Sequence, residues 1–227
     1  KRPVFLVNPL SGGVPRDMGR LLARIGRAMA PRAHAIHRLA RIDDIDALIG
    51  EYPPQDHRYV VLGGDGTLNY LCQRLLERYP GCTPDALLLP FGTGNRLAAV
   101  TGLRRLDFAS QLALSLTAHA PAIDVAQVDG GPTFTLLCGM GFDGAAVQRM
   151  PRWLKRGGGP CAYWLQGAWE LLRARPATFT VTVDGFTVRR QGIGVLIAND
   201  PRVAGPCFNY RPGARLDDGQ LHVCLVG

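Results

Sequence analysis

The chain has 227 residues, of which 47% are hydrophobic and 19% are charged, and its formal net charge is +8. This composition excludes a disordered chain and a coiled coil, and it suffices for one large domain or two modest ones. No apolar run reaches the roughly 18 residues of a membrane span, and no signal peptide is visible at Lys1, although the true start can lie upstream. The positive charge favours anionic partners such as nucleotides, nucleic acid or an anionic lipid surface, without choosing among them.

The first half of the chain alternates strand and helix patterns four times. Short apolar runs typical of buried strands lie at 3–8, 33–40, 59–62 and 86–90. Helical spacing of apolar residues follows each run, at 17–30 with Asp17 as the predicted N-cap, at 42–52, at 68–79 and from 96. This alternation predicts a three-layer α/β domain over residues 1–123, with a parallel sheet and helices on both of its faces.

The pattern changes near Asp124 to short β-rich segments, which predict a β-rich sandwich domain over residues 124–227. Asp184-Gly185 indicates a hairpin with a type I′ turn, because both central residues of that turn need a positive φ. One helical insert is predicted around Tyr163–Ala174. The six cysteines lack CxxC and zinc spacing, which is typical of reduced core residues in a cytosolic protein, and the five scattered histidines are interpreted as structural or surface residues.

Three glycine-rich turns follow strands of the first half: NPLSGG (8–13), GGDGT (63–67) and FGTGN (91–95). A strand that ends in glycines and opens a helix can bind an anion, because its backbone N–H groups approach phosphate closely and the helix N-terminus adds positive charge. Carboxyl ends of parallel strands share one edge of the sheet. We therefore expect the three turns to face one bound nucleotide. A tight turn without a ligand is the plainer alternative, and three such turns at neighbouring strands disfavour it.

Asp65 lies inside one of these anion-attracting turns. Its carboxylate would repel phosphate unless it holds a metal ion or accepts a proton from a substrate hydroxyl. Other nucleotide and catalytic motifs are missing: there is no GxxxxGK[ST], no GxGxxG in the strand–helix half of the chain, and no local support for a Ser-His-Asp or Cys-His arrangement.

Five motifs, NPLSGG, GGDGTLN, LPFGTGN, GMGFDG and LDDGQL, follow one another in the order of the diacylglycerol kinase catalytic family. The chain resembles this family, which includes bacterial lipid kinases and sphingosine kinases, over nearly its whole length. GGDGT is shared in looser form with NAD kinases and phosphofructokinases, whereas LPFGTGN together with NPLSGG is more specific to lipid kinases. The resemblance implies an α/β nucleotide domain, a following β-sandwich domain, and a substrate that enters between them.

The resemblance also implies cofactors and site residues. ATP and Mg²⁺ are the implied cofactors, Asp65 is the implied catalytic residue, and Asp218 resembles a structural magnesium ligand that works with backbone carbonyls. The residues implied to contact ATP are Asn8, Pro9, Ser11, Gly12, Gly63, Gly64, Asp65, Gly66, Thr67, Asn69, Gly92, Thr93, Gly94 and Asn95.

Three departures from the family matter. Relatives usually have Glu where Tyr70 follows Asn69, and the glycine-rich stretch that usually follows the late Asn is weak after Asn199. Relatives also usually continue beyond the position that corresponds to Gly227. In some bacterial members this additional segment carries the general base. That segment is not in this sequence, which leaves Asp65 as the candidate base, as in the sphingosine kinase branch.

The function predicted from these observations is an ATP-dependent lipid kinase that phosphorylates a hydroxyl of diacylglycerol or a related lipid. A catalytically impaired nucleotide- or lipid-binding module is the alternative, favoured by Tyr70 and by the segment that is not in this sequence. A soluble-substrate kinase of the NAD kinase type fits LPFGTGN poorly. Nucleic-acid binding is disfavoured because no DNA or RNA motif accompanies the positive charge.

All three tryptophans fall within residues 152–176, and basic residues accompany them. They are Trp153, Trp164 and Trp169, with Lys155, Arg156, Arg173 and Arg175. Such a helix either packs its aromatic face on the sandwich with a solvated basic rim or docks on an anionic bilayer, and both can hold at once. We expect a cytoplasmic protein with a lipid substrate and peripheral contact at the inner membrane face.

Overall fold

The computed structural model of the chain describes residues 1–15, 17–30, 32–117, 120–151, 159–199 and 215–227, with the main chain alone for 159–164. The chain divides into two compact units. One comprises Lys1–Pro121 with Val128–Thr133, and the other comprises Ala122–Gln127 with Phe134–Gly227. The domain boundary after residue 123 stays a prediction.

A four-stranded parallel sheet forms the centre of the first unit, in the order β2-β1-β3-β4. Its strands are β1 (Arg2–Val7), β2 (Ala35–Arg38), β3 (His57–Gly63) and β4 (Ala86–Pro90). Strands β1 and β3 are buried on both faces over most of their length, as parallel strands between two helix layers must be. Their carboxyl ends lie level, because Val7 is paired with Leu62 and Leu62 with Leu89.

Five helices and a 3₁₀ turn connect these strands and follow them. They are α1 (Met18–Met29), α2 (Asp44–Glu51), α3 (Asp65–Arg78), α4 (Arg96–Val100), the 3₁₀ turn Leu103–Arg105, and α5 (Phe108–Leu114). The predicted N-cap is confirmed, because an Asp17 oxygen accepts the Arg20 N–H at 3.1 Å. The sequence pattern did not predict α5, which is only seven residues long.

Successive apolar side chains along each strand point to opposite faces of the sheet, so they form two cores. On one face Phe5, Val7, Val60, Leu62 and Leu89 join apolar residues of α1 and α5 in one buried cluster. The alternate residues of β1 and β3 are equally buried, and α2 and α3 pack against each other. Helices therefore cover both faces, as the alternating pattern predicts.

A buried arginine attaches the end of α5 to the sheet. Arg58 is 7% exposed, and its guanidinium binds both carboxylate oxygens of Asp85, at 2.7 and 3.2 Å. The remaining nitrogen donates to main-chain carbonyls at the end of α5 and just past it, including that of Leu114 at 3.3 Å and that of Thr117. This bidentate pair leaves the buried charge compensated.

The second unit is rich in antiparallel strands, as predicted. Strands β7 (Leu137–Gly141), β10 (Gly194–Ala198) and β11 (His222–Val226) form one sheet in the order β11-β10-β7. Strands β8 (Ala177–Val183) and β9 (Phe186–Gly192) form a separate hairpin, and β5 (Ala126–Gln127) and β6 (Thr133–Phe134) are two residues each.

Two local predictions for this unit are confirmed. Asp184 and Gly185 have φ values of 49° and 83°, and Val183 pairs with Phe186 across the turn. The helical insert is α7 (Gly159–Arg173), which follows the shorter helix α6 (Phe142–Gln148). Trp153, Lys155 and Arg156 lie outside the described residues, as does the side chain of Trp164.

Candidate functional site

The three glycine-rich turns meet at the carboxyl ends of β1, β3 and β4. The Asn8 side-chain amide at the end of β1 donates to the Thr67 hydroxyl at 2.9 Å. The first turn also reaches the third, because the Gly13 N–H donates to the Phe91 carbonyl at 2.8 Å. The predicted convergence of the turns is thus present in the fold.

Glycine is required where the second and third turns touch. A Cβ atom on Gly92 would lie 2.3 Å from the Gly64 Cα and 2.7 Å from the Asn95 Oδ1. A Cβ on Gly64 would lie 3.0 Å from the Gly92 Cα. The two main chains are therefore in direct contact, and no larger residue fits between them without moving backbone.

Asn95 holds the third turn in shape. Its backbone is left-handed, with φ 48°, a conformation that Asn tolerates better than most residues. Its side-chain oxygen accepts the Gly92 N–H at 2.8 Å, and its amide donates to the carbonyls of Pro90 and Gly92 at 3.0 and 2.7 Å. Because both amide hydrogens are used in these bonds, the Asn95 side chain serves to shape the loop.

Asp65 links the second turn to the helix after the third. It is the first residue of α3, and its two carboxylate oxygens accept the N–H groups of Arg96 and Leu97 at 2.8 and 3.1 Å. The carboxylate thereby satisfies donors at the start of α4 that have no partner within that helix. This contact explains how a carboxylate is accommodated in an anion-attracting turn, and the sequence pattern did not predict it.

Several main-chain amides of the turns remain available. In the hydrogen-bond network of the described residues, the N–H groups of Gly12, Gly64, Thr93 and Gly94 donate to no protein acceptor. They come from all three turns and lie beside the N-terminus of the 14-residue helix α3. Such clustered amides at a helix N-terminus suit phosphate oxygens.

The other predicted contact residues lie in the same turns. Pro9 and Ser11 are in the first turn, where the Ser11 N–H closes onto the Asn8 carbonyl at 3.1 Å. Gly63 ends β3, and Gly66 lies in the first turn of α3, exposed and with nothing within 4 Å of where its Cβ would be.

Asn69 and Tyr70 face other parts of the first unit. The Asn69 side-chain amide donates to the Thr133 carbonyl at 2.7 Å, so Asn69 supports the loop over 128–133. The Tyr70 hydroxyl lies 3.4 Å from oxygens of Asp43 and Asp46 beside α2. The residue that replaces the usual Glu is thus engaged with α2.

Asp218 lies in an exposed turn of the second unit. Its oxygens accept the N–H groups of Arg215 and Gln220 at 3.3 and 3.0 Å, and Asp124 accepts the Gly219 N–H of the same turn at 2.7 Å. No three His, Cys, Asp or Glu side chains within the described ranges converge to hold a metal ion. The role of Asp218 as a magnesium ligand together with backbone carbonyls stays a prediction.

Asp143 is a candidate functional residue that the pattern analysis did not single out. It lies in the first turn of α6, and its carboxylate packs against the backbone of Gly139, where a Cβ would approach it to 2.1 Å. Burial raises the pKa of the Asp143 carboxyl above its ordinary value. The sequence signal that could have identified Asp143 is its position in GMGFDG, just after a strand that ends in glycines.

Comparison with known proteins agrees with this geometry. Residues 2–128 match the diacylglycerol kinase catalytic domain, and residues 137–227 match the YegS C-terminal NAD kinase beta sandwich-like domain. Among the described residues, no helix combines the length and the apolar character needed to cross a membrane.

Curated relatives carry lipid kinase names. A "Probable lipid kinase YegS-like" of Citrobacter koseri is 31% identical over 162 residues, which is 71% of this chain and 53% of the relative. A "Probable lipid kinase YegS" of Shigella flexneri is 30% identical with the same coverage. The match thus spans about half the length of these relatives.

A solved diacylglycerol kinase from Bacillus anthracis has the same fold, with a TM-score of 0.71 at 22% identity, over 99% of this chain and 73% of that one. The two-part architecture, the meeting of the three turns and the match over residues 2–128 lead to one assignment. The chain belongs to the diacylglycerol kinase catalytic domain family.

Proposed function

We propose that this chain is the nucleotide-binding and lipid-recognising part of an ATP-dependent lipid kinase, which transfers the γ-phosphoryl group of ATP to a hydroxyl of diacylglycerol or a related lipid. The nucleotide enters as its magnesium complex, the substrate form that kinases use. Family membership and the names of the relatives support the reaction class.

The observation that carries this proposal is the meeting of three glycine-rich turns at one edge of the sheet. Their backbones touch at Gly64 and Gly92, and amides of all three turns have no protein acceptor among the described residues. A triphosphate offers several anionic oxygens in a row, which suits donors spread over three adjacent turns. A single tight turn would need no such convergence.

Phosphoryl transfer depends more on positioning and charge neutralisation than on covalent chemistry. The lipid hydroxyl oxygen attacks the γ-phosphorus, the bond from that phosphorus to the β,γ-bridging oxygen breaks, and ADP leaves with the electron pair. The amides of the turns hold the phosphates in place while the charge redistributes. The hydroxyl proton passes to a carboxylate.

We propose Asp65 as that carboxylate. Each of its oxygens accepts one amide hydrogen from the start of α4 and retains another lone-pair site. It can therefore take a proton while it holds the third turn in position. Asp65→Asn should keep most of the affinity for MgATP and lose most of the turnover, and full turnover in this variant would eliminate Asp65 as the base.

One observation favours the alternative, a nucleotide- or lipid-binding module without catalysis. Asp65 is already engaged by two amides in the protein itself, which is sufficient reason for an Asp at this position. If this alternative holds, Asp65→Asn would weaken the fold of the third turn. Neither the wild type nor the variant would then transfer phosphate.

The deciding experiment has two parts. Isothermal titration with MgATP tests nucleotide binding, and transfer of radiolabelled phosphate from ATP to a panel of lipids in mixed micelles tests the reaction. Binding with transfer supports the kinase, and binding without transfer supports the module. Failure to bind MgATP by a folded chain would refute the kinase and the nucleotide-binding module, and would leave only a lipid-binding module.

A further inference from the structure

Positive charge is concentrated in two segments of the first unit. Residues 18–42 follow the first glycine-rich turn and residues 86–106 contain the third, and together they hold nine arginines and no acidic residue. Helix α2 is acidic by contrast, with Asp44, Asp46 and Glu51. A surface that mixes both signs of charge is the ordinary case, so this separation calls for an explanation.

Four exposed arginines of these segments have no ion-pair partner among the described residues. They are Arg24 and Arg27 on α1 and Arg104 and Arg105 in the 3₁₀ turn, here called the arginine patch. Within the ranges that the structure describes, no carboxylate forms a salt bridge with any of them, whereas Arg20 on the same helix is paired. No direct partner in those ranges therefore neutralises the charges of the patch.

Ring contacts connect the arginine patch to the third glycine-rich turn. The Arg24 guanidinium lies 4.6 Å from the centre of the Phe108 ring, and the Phe108 ring lies 6.0 Å from that of Phe91, the first residue of the turn. The Arg24 charge is thus on the order of 10 Å from the turn, about one Debye length at 0.1 M salt. The 3₁₀ turn that carries Arg104 and Arg105 contacts β4 and α4, which flank the same glycine-rich turn.

The arginine patch keeps a net positive charge. Asp107 follows Arg105 by two positions, and its carboxylate caps α5, where it accepts the Ser110 N–H at 2.7 Å. Four cations and this one anion leave a charge of +3 beside turns whose amides include several without a protein acceptor among the described residues. Charge of one sign next to a binding site raises the local concentration of ligands of the opposite sign and accelerates their association.

We propose that the arginine patch steers nucleoside polyphosphates toward the glycine-rich turns and favours the triphosphate over the diphosphate. The inference rests on the proposed function for the identity of the ligand. The magnesium complex of ATP has a charge of about −2 and that of ADP about −1, so the same field attracts the triphosphate about twice as strongly. The encounter step therefore selects the substrate nucleotide over the product nucleotide.

The test is a stopped-flow measurement of the association rate constant, with fluorescent N-methylanthraniloyl derivatives of MgATP and MgADP as probes. At a distance of about 12 Å and about 10 mM salt, the removal of each arginine should lower the MgATP rate constant roughly twofold. Arg27→Gln/Arg104→Gln/Arg105→Gln should therefore lower this rate constant about tenfold and that of MgADP about threefold. Both effects should fall below about twofold at about 0.5 M salt. Arg24 is retained, because its loss would also remove its packing on Phe108.

The matched control is Lys1→Gln/Arg2→Gln/Arg78→Gln. It removes the same charge from exposed residues at the opposite edge of the sheet, where β1 begins and α3 ends. Because these residues are farther from the turns, the association rate constant of MgATP should fall no more than about twofold at about 10 mM salt.

Dissociation rate constants and circular dichroism spectra should match the wild type in both triple variants, because the field of the patch acts mainly on the encounter. An unchanged association rate constant in the patch variant, an equal loss in the control, or a loss that does not depend on salt would each overturn steering. These outcomes leave the proposed function in place as long as the wild type binds MgATP in isothermal titration. Absence of that binding would overturn both.

Discussion

Replacement of Gly92 by alanine tests whether the second and third turns must be in backbone contact. The added Cβ would lie 2.3 Å from the Gly64 Cα and 3.0 Å from the Gly64 nitrogen, and both neighbours are main chain at the end of β3. Flexible side chains can move away from such a clash, whereas these atoms are held by the sheet. Overpacking of a rigid site costs about 1–3 kcal/mol.

The expected loss in folding stability is at the upper end of that range, about 3 kcal/mol, because Asn95 is displaced as well. Its Oδ1 lies 2.7 Å from the position that the added Cβ would take, and it accepts the Gly92 N–H. For a chain of this size about 1 kcal/mol corresponds to roughly 2–4 °C in Tm. Gly92→Ala should therefore lower Tm by about 6–12 °C and weaken MgATP binding more than about tenfold, since separated turns no longer present their amides together.

Gly26→Ala is the matched control for this substitution. Gly26 lies within α1, away from the turns, and nothing lies within 4 Å of where its Cβ would be. Alanine is favoured over glycine inside a helix by about 0.5–1 kcal/mol, so Tm should rise slightly with MgATP affinity unchanged. Thermal unfolding followed by circular dichroism and isothermal titration measure both quantities. A Gly92→Ala protein with the Tm and affinity of the wild type would refute the contact between the turns.

Three other substitutions have expected outcomes. Arg58→Met should lower the free energy of unfolding by about 3–5 kcal/mol in urea titrations, because Asp85 is left as a half-buried charge without its partner; Asp85→Asn in the same background should recover part of the loss. Asp143→Asn should raise Tm at pH 7, because burial raises the pKa of the folded carboxyl and its ionised form is destabilising. That penalty is absent below the unfolded pKa of about 3.8 and complete above the folded pKa, so the gain in Tm should disappear in acid, and an equal gain at both pH values would contradict burial as the cause. Tyr70→Phe should change Tm by less than about 2 °C and leave MgATP affinity intact, since its hydroxyl makes only long contacts at 3.4 Å; a large loss of affinity would place Tyr70 in the site.

Local pattern was sufficient for the elements whose residues carry a short-range signal. The buried runs of β1 and β3, the Asp17 cap and the positive φ values at Asp184 and Gly185 follow from side chains and their immediate neighbours. Helix α5 was not predicted, because it is short and its position depends on Arg58, which is distant in sequence.

The position of the glycine-rich turns after neighbouring strands follows from local pattern, since strand and turn signals are local and parallel strands align their ends. The contacts that the residues in those turns make are visible only in the folded chain. Asp65 accepts from Arg96 and Leu97, about thirty positions away, and Gly64 touches Gly92. The burial of Glu170 on α7 and its ion pair with Arg149, which precedes the helix by some ten residues, are likewise features of the folded chain. Contacts between residues far apart in the chain depend on the packing of whole elements, and no local pattern encodes that packing.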